Sequence, residues 1–116
     1  TIIDDAFNSN PDGARKALDT LSQFEGRKVV VTPGLVELGD LEEEENYAIG
    51  QKIAMIADVV VLIGKSGAQL ARGLSDFDGK ILKFSTLAEA QKSFKDFLHI
   101  GDNLLLLNDL PDIYED

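Results

Sequence analysis

The sequence predicts a single α/β domain of three layers, a mostly parallel sheet with helices on both faces. Three observations carry that expectation. Segments rich in β-branched and aliphatic residues alternate with segments of helical periodicity along all 116 residues, as repeated βαβ units require. The strand-like segments are continuous apolar runs, the pattern of strands buried on both faces. The helical segments carry readable starts and stops, and no linker, repeat or low-complexity tract interrupts the order.

Thr1–Asp4 is a short apolar start and reads as the first strand. Asn10-Pro11 then looks like a helix N-cap followed by proline at the first helical position. Ala14, Ala17, Leu18 and Leu21 fall on one face of that helix, and Gly26 is the expected stop. Arg27–Thr32 carries Val29-Val30-Val31 and reads as the second strand. A second helix is expected from about Glu43 to Ala57, with Ile49, Ile53 and Ile56 at core spacing. Its start is crowded with Glu42–Glu45, where the helix dipole favours negative charge. Asp58–Ile63 is a third strand and Ser66–Leu74 a short third helix. Lys80–Phe84 is the fourth strand. Thr86-Leu87-Ala88-Glu89 is a capping box that opens a fourth helix, whose buried side is Leu87, Ala90, Phe94 and Phe97 or Leu98. Leu104–Leu107 has helical propensity, but Gly101-Asp102 before it and Pro111 after it favour a short strand over Asn103–Leu107. The whole order is Rossmann-like. A chain that starts directly in a strand also predicts a domain drawn from a longer protein.

Composition narrows the function. The chain carries 21 acidic and 11 basic residues, a net charge of −10. No Lys/Arg cluster exceeds a pair such as Arg15-Lys16, so the basic face that phosphate neutralisation demands is missing and nucleic acid is not an expected partner. Cys is absent and His99 is the single histidine, which removes thiolate nucleophiles and His- or Cys-rich metal sites. No apolar run reaches the 18–20 or so residues of a membrane span. Absence of Cys suits a cytoplasmic location.

In a doubly wound sheet ligands gather beyond the carboxyl ends of the strands. The segments to search are therefore Asp4–Pro11, Thr32–Gly39, Gly64–Gly67, Ser85-Thr86 and Asn108–Asp112. Gly64-Lys65-Ser66 suggests a phosphate loop, but G-x-x-x-x-G-K-[ST] needs Gly at 59, where Val59 lies inside the strand. Lys65 remains able to meet an anionic group of a substrate. Asp4-Asp5 resembles the acidic pair of response-regulator receivers. Those need an Asp acceptor after the third strand and a Lys ending the fifth, and here the positions read Ile63-Gly64 and Leu107-Asn108. What remains is Asp4-Asp5-Ala6-Phe7-Asn8-Ser9-Asn10-Pro11-Asp12, a carboxylate and two amides in one βα loop. Paired donors and acceptors of this kind can contact vicinal hydroxyls and the edge of a heterocycle. Simpler roles exist for each: Asn10 as a cap, Asp12 as a first-turn charge, Asp5 as a solvated loop residue.

That stretch resembles the start of the C-terminal domain of Mur ligases, whose pattern is Asp-Asp-Ala-Tyr-Asn-Ala-Asn-Pro followed by a helix. Gly34-Leu35-Val36-Glu37-Leu38-Gly39 is similar to the family's Gly-Asp-Met-x-Glu-Leu-Gly, and the later strands fall in matching order. The resemblance spans essentially the whole chain. It implies one domain, residues 1–116, of a longer ATP-dependent amide ligase of peptidoglycan-precursor synthesis. Such enzymes join a UDP-linked muramyl peptide to an amino acid or dipeptide through an acyl phosphate. It further implies that ATP with Mg is bound mainly by a central domain, while this domain closes over that site and presents the incoming amine. No catalytic residue is expected here, and the isolated domain is expected to be inactive. By position, Asp4 would face the ATP ribose, with Asn8 and Asn10 near the adenine. Lys65, Asn108 and Asp109 would lie on the side of the incoming substrate.

The chain departs from the family pattern at several points. Phe7 stands where Tyr is usual, Pro33-Gly34 replaces the Gly-Asp, and Asn46 replaces a His. The closing Lys-Gly-Ser is replaced by Leu107-Asn108-Asp109, which is acidic and would repel a carboxylate. A ligase with a different amine acceptor is therefore one alternative, and a free-standing Rossmann-like binding or interaction domain is another. Glu42–Glu45 is expected to be a solvated face and His99 to meet helix-end carbonyls, while Phe24, Phe77, Phe84, Phe94 and Phe97 read as core or rim residues and Tyr47 and Tyr114 as surface packing.

Overall fold

The computed structural model describes residues 2–5, 11–34, 39–64 and 67–107. Five parallel strands form one sheet in the order β1-β5-β2-β3-β4: β1 (Ile2–Asp5), β2 (Lys28–Thr32), β3 (Val59–Ile63), β4 (Lys80–Phe84) and β5 (Asn103–Leu107). The helices are α1 (Pro11–Ser22), α2 (Glu42–Ile56), α3 (Gly67–Arg72) and α4 (Leu87–Phe97), with one 3-10 turn over Gly39–Leu41 before α2.

Strand alternation sorts the core into two layers. Val30, Val60, Leu62, Leu105 and Leu107 point to one face and meet Ala14, Leu18 and Leu21 of α1, Ile49 and Ile53 of α2, and Leu70 of α3. Val29, Val31, Val59, Val61, Ile63 and Leu104 point to the other and meet Leu87, Ala90 and Phe97 of α4. The chain thus crosses the sheet three times under α1–α3, then returns under α4 to insert β5 between β1 and β2. Crossings in opposite directions use opposite faces, as right-handed connections demand.

Element ends follow the local chemistry. Pro11 opens α1 as expected, but α1 stops at Ser22, four residues before Gly26. Gly26 (φ +100) instead turns the chain into β2. Thr86 Oγ1 accepts from the Glu89 N–H at 3.2 Å, the expected cap of α4. Under α4 Phe94 meets Phe97 edge-on and Phe84 stacks on Phe97, ring centroids 5.5 and 6.5 Å apart. Phe97 is core, and Phe84 and Phe94 are half-buried against it, the core and rim places expected. Val59 is buried within β3, paired with Val29 and Lys80, so position 59 belongs to the sheet and not to a phosphate loop.

Opposite the ligand-facing edge, Arg27 holds the entry to β5. Its Nε and Nη2 donate to the two oxygens of Asp102 at 3.0 and 2.7 Å, and Nη2 also donates to the Phe97 carbonyl. Asp102 further accepts the His99 N–H at 2.8 Å, so His99 works through its backbone. The hydrogen bond from Arg27 holds the Asp102 carboxyl below its ordinary pKa, against the opposing effect of burial. A depressed carboxyl stabilises the fold above its unfolded pKa, and that stability is lost as pH falls through the lowered folded value. Asp102→Ala is expected to cost about 2–3 kcal/mol in urea unfolding at neutral pH and to flatten the acid limb of the stability profile. An unchanged acid limb would show that another carboxylate governs it.

Candidate functional site

The carboxyl ends of the strands define one edge, running Asp5, Leu107, Thr32, Ile63, Phe84 in sheet order. Each apolar run ends there because the next residues must leave the buried layer. Asp4 is the penultimate residue of the edge strand β1, in register with Leu106 of β5, and its neighbour Asp5 is in register with Leu107. The strand end and α1 are joined by residues 6–10. Asn8 and Asn10, like Lys65, Asn108 and Asp109, lie outside the described residues. Of the six site residues expected from the sequence, the structure thus places the backbone of Asp4. Three strand steps separate β1 from β3, about 14 Å of edge.

The segment after β2 starts from a buried turn. Thr32, 1% exposed, accepts the Gly34 N–H on Oγ1 at 3.0 Å, and Gly34 has φ +84. Glycine fits there because other residues pay for that backbone region. Asn46, where the family has His, is fully buried near the start of α2.

Two helices that border the candidate loops are tied together at their starts. Arg15 Nη1 pairs with Asp12 at 2.8 Å and Nη2 with Glu45 at 2.7 Å, joining the first turns of α1 to that of α2. Further along, Lys52 pairs with Asp19 at 2.7 Å. Glu43 pairs with Arg72 at the end of α3. The expectation of a solvated Glu42–Glu45 face holds at Glu43 and Glu44, which are exposed, and is corrected at Glu45, which is half-buried against Arg15. The Arg15–Asp12 pair was visible as an i,i+3 spacing. Partners 29 or 30 residues away were not.

Asp40, Glu43, Glu44, Tyr47 and Arg72 line a surface depression of about 360 Å³ between α2 and α3. Among the described residues its one cation, Arg72, is engaged by Glu43. A second depression of about 400 Å³ lies at the strand ends themselves, lined by Gly64, Lys83, Phe84 and Ser85. Gly64 (φ +73) turns the chain out of β3, and its N–H donates to the Phe84 carbonyl at 2.9 Å.

Leu107 settles one comparison with the family pattern. The position where the family places the first residue of Lys-Gly-Ser is here 0% exposed, within the core under α1. Leu107→Lys would bury an ammonium in that layer. It is expected to lower stability by several kcal/mol, about 3–5 by analogy with other uncompensated buried charges, and not to create an anion grip. Wild-type stability in that variant would mean that side chain 107 reaches solvent.

A parallel, Rossmann-like α/β domain whose five strands end along one edge, with Val59 in the sheet where a phosphate loop needs Gly, is the class this geometry defines. Within that class the chain belongs to the Mur ligase family: the family described as Mur ligase, glutamate ligase domain, matches residues 1–107. The UDP-N-acetylmuramoyl-tripeptide–D-alanyl-D-alanine ligase of Bacillus subtilis (strain 168) is 31% identical over 110 residues, covering 90% of this chain and 24% of that protein. A crystal structure of the MurF ligase from Thermotoga maritima in complex with ADP superposes with a TM-score of 0.78 over 97% of this chain and 25% of that one, at 21% identity. One of MurF from Acinetobacter baumannii gives 0.74 over 96% of this chain and 27% of that one, at 26% identity. The chain therefore spans about a quarter of the length of the relatives it matches.

Proposed function

We propose that residues 1–116 are the C-terminal domain of a longer ATP-dependent amide ligase of peptidoglycan-precursor synthesis. The observation that carries this reading is the family match over residues 1–107, joined to coverage of only 24% of the matched ligase. The domain would close over a central ATP-binding domain of the same protein. There a phosphoryl group passes from ATP to a carboxylate of the UDP-linked muramyl peptide, and the incoming amine displaces phosphate to form the amide.

Within that reading Asp4 accepts hydrogen bonds from the ribose hydroxyls, because a carboxylate can accept from both members of a vicinal pair. Its place at the carboxyl end of β1 supports this. Asn8 and Asn10 follow in the same loop and offer the donor and acceptor that an adenine edge needs. ADP in the Thermotoga maritima relative supports a nucleotide ligand. Among the described residues no group of three or more His, Asp or Glu is arranged to hold a metal ion. Following the family resemblance, the reading leaves Mg to the central domain. Lys65 would face an anionic group of the incoming substrate, while Asn108 and Asp109 would keep a carboxylate away from the end of β5. Among the described residues no helix is long and apolar enough to cross a membrane, and the reading puts the enzyme in the cytoplasm with its ATP.

The coding sequence upstream of Thr1 tests this directly. A continuous reading frame containing G-x-x-G-K-[ST] is expected. An initiator Met immediately before Thr1 would favour a free-standing binding or interaction domain instead. The purified 116-residue chain is expected to fold and to turn over no ATP. Phosphate release above a heat-killed control would place catalysis in this domain and contradict the reading.

A further inference from the structure

We propose that the cleft formed by Gly64, Lys83, Phe84 and Ser85 is the subsite for the carboxylate of the incoming amine. This rests on the ligase reading above. The topology singles the cleft out. The connection after β3 runs to the face covered by α1–α3, and that after β4 runs to the face covered by α4. Neighbouring strands whose connections part to opposite faces leave a crevice between them, and that is where open α/β sheets bind ligands. Among the described residues β3 and β4 are the adjacent pair that does so, and the depression of about 400 Å³ lies at their ends.

The lining suits an anion. Lys83 is in register with Leu62, so it stands on the α3 side of the cleft, while Phe84 stands on the α4 side with its ring stacked on Phe97. Lys83 makes no ion pair with the described residues, a free cation on a chain of net charge −10. The Gly64 N–H is already given to Phe84, and Thr86 Oγ1 to the helix cap. The Lys83 ammonium and the Ser85 hydroxyl are then the donors for the two carboxylate oxygens. Gly64 leaves the floor without a side chain. The alternatives on this edge are poorer. Leu107 is core, Asn108-Asp109 is acidic by sequence, and Arg72 is neutralised by Glu43. Lys65, which follows Gly64 in the chain, lies outside the described residues, and we add Lys83 to it as the carboxylate's partner. An edge lysine also discourages strand pairing, but Lys80 on the same strand serves that purpose without lining the cleft.

The test uses the full-length ligase with a panel of amino acids and dipeptides, D-alanyl-D-alanine included, each paired with its C-terminal amide. Wild-type protein is expected to prefer the acid. Lys83→Met should raise the acid's KM about tenfold, one lost charge-assisted contact. The KM values of the amide and of ATP, and kcat, should stay within twofold. Lys83→Arg should recover most of the loss, and Lys80→Met should match wild type. Equal use of acid and amide by wild type, or an unchanged acid KM in Lys83→Met, overturns the proposal. So does a raised KM for ATP, which would make the anion a nucleotide phosphate. Magnetic resonance titration separates failure of the cleft from failure of the ligase reading. Saturable shifts at the Gly64 and Ser85 amides with D-alanyl-D-alanine, but not its amide, support the cleft even if no product forms. Absence of such shifts with the acid overturns it even in an active ligase.

Discussion

Gly73→Ala is expected to destabilise the domain by about 3 kcal/mol, the upper range for overpacking. A Cβ there would overlap the Tyr47 carbonyl oxygen and come within 2.8 Å of the Gln51 nitrogen and 2.9 Å of the Gly50 Cα. All three are backbone atoms of α2, so no side chain can swing away to make room. Gly50→Ala meets the same crossing from the other side, overlapping the Leu70 carbonyl and approaching the Gly73 Cα at 3.1 Å. The relief available is to lift the end of α3 from α2, which exposes Leu70 and loosens Leu74, both core residues. Urea unfolding of the two single variants and the double would measure it. Because both clashes are relieved by one separation, the double variant should cost less than the sum of the singles. Strict additivity, or a loss below about 1 kcal/mol, would mean that the helices do not meet backbone to backbone.

The second large effect concerns the nucleotide. Asp4→Ala in the full-length ligase is expected to raise the KM for ATP by about 10- to 150-fold, the loss of a charge-assisted hydrogen bond worth roughly 1.5–3 kcal/mol. The position sits at the end of an edge strand, so the fold should tolerate the change. The KM for the incoming amine should move little. Unchanged ATP dependence in a folded variant would remove Asp4 from the nucleotide site.

Much of this molecule was legible because its chemistry is local. The runs at 29–31 and 59–63 are apolar at every position, which only a strand covered on both faces requires, and both faces are covered. Pro11 and Thr86 act within a few residues of themselves, so the starts of α1 and α4 could be read directly. The strand order could not. Placing β5 between β1 and β2 depends on pairings such as Ile3 with Leu105, 102 residues apart, and Val30 with Leu105, 75 residues apart. Leu104–Leu107 showed that it was apolar without showing that it was central. The Gly50–Gly73 crossing and the tie from Arg15 to Glu45 are hidden for the same reason, since each needs two distant segments to meet. For the site, the sequence pointed to the loop after β1 through its amides and carboxylates. It also marked Gly64–Gly67 and Ser85-Thr86 as segments to search, but passed over Lys83, which carries no motif and gains meaning only from the faces to which α3 and α4 depart.

The central claim is tested most directly by mass spectrometry of the product made by the full-length protein. The protein is supplied with ATP, Mg, a UDP-linked muramyl tripeptide and a panel of amino acids and dipeptides. The account predicts a condensed product, the muramyl peptide plus one acceptor less one water, formed only when ATP is present and with one phosphate released per amide. A folded protein that yields no such product with any acceptor, or yields it equally without ATP, would contradict it.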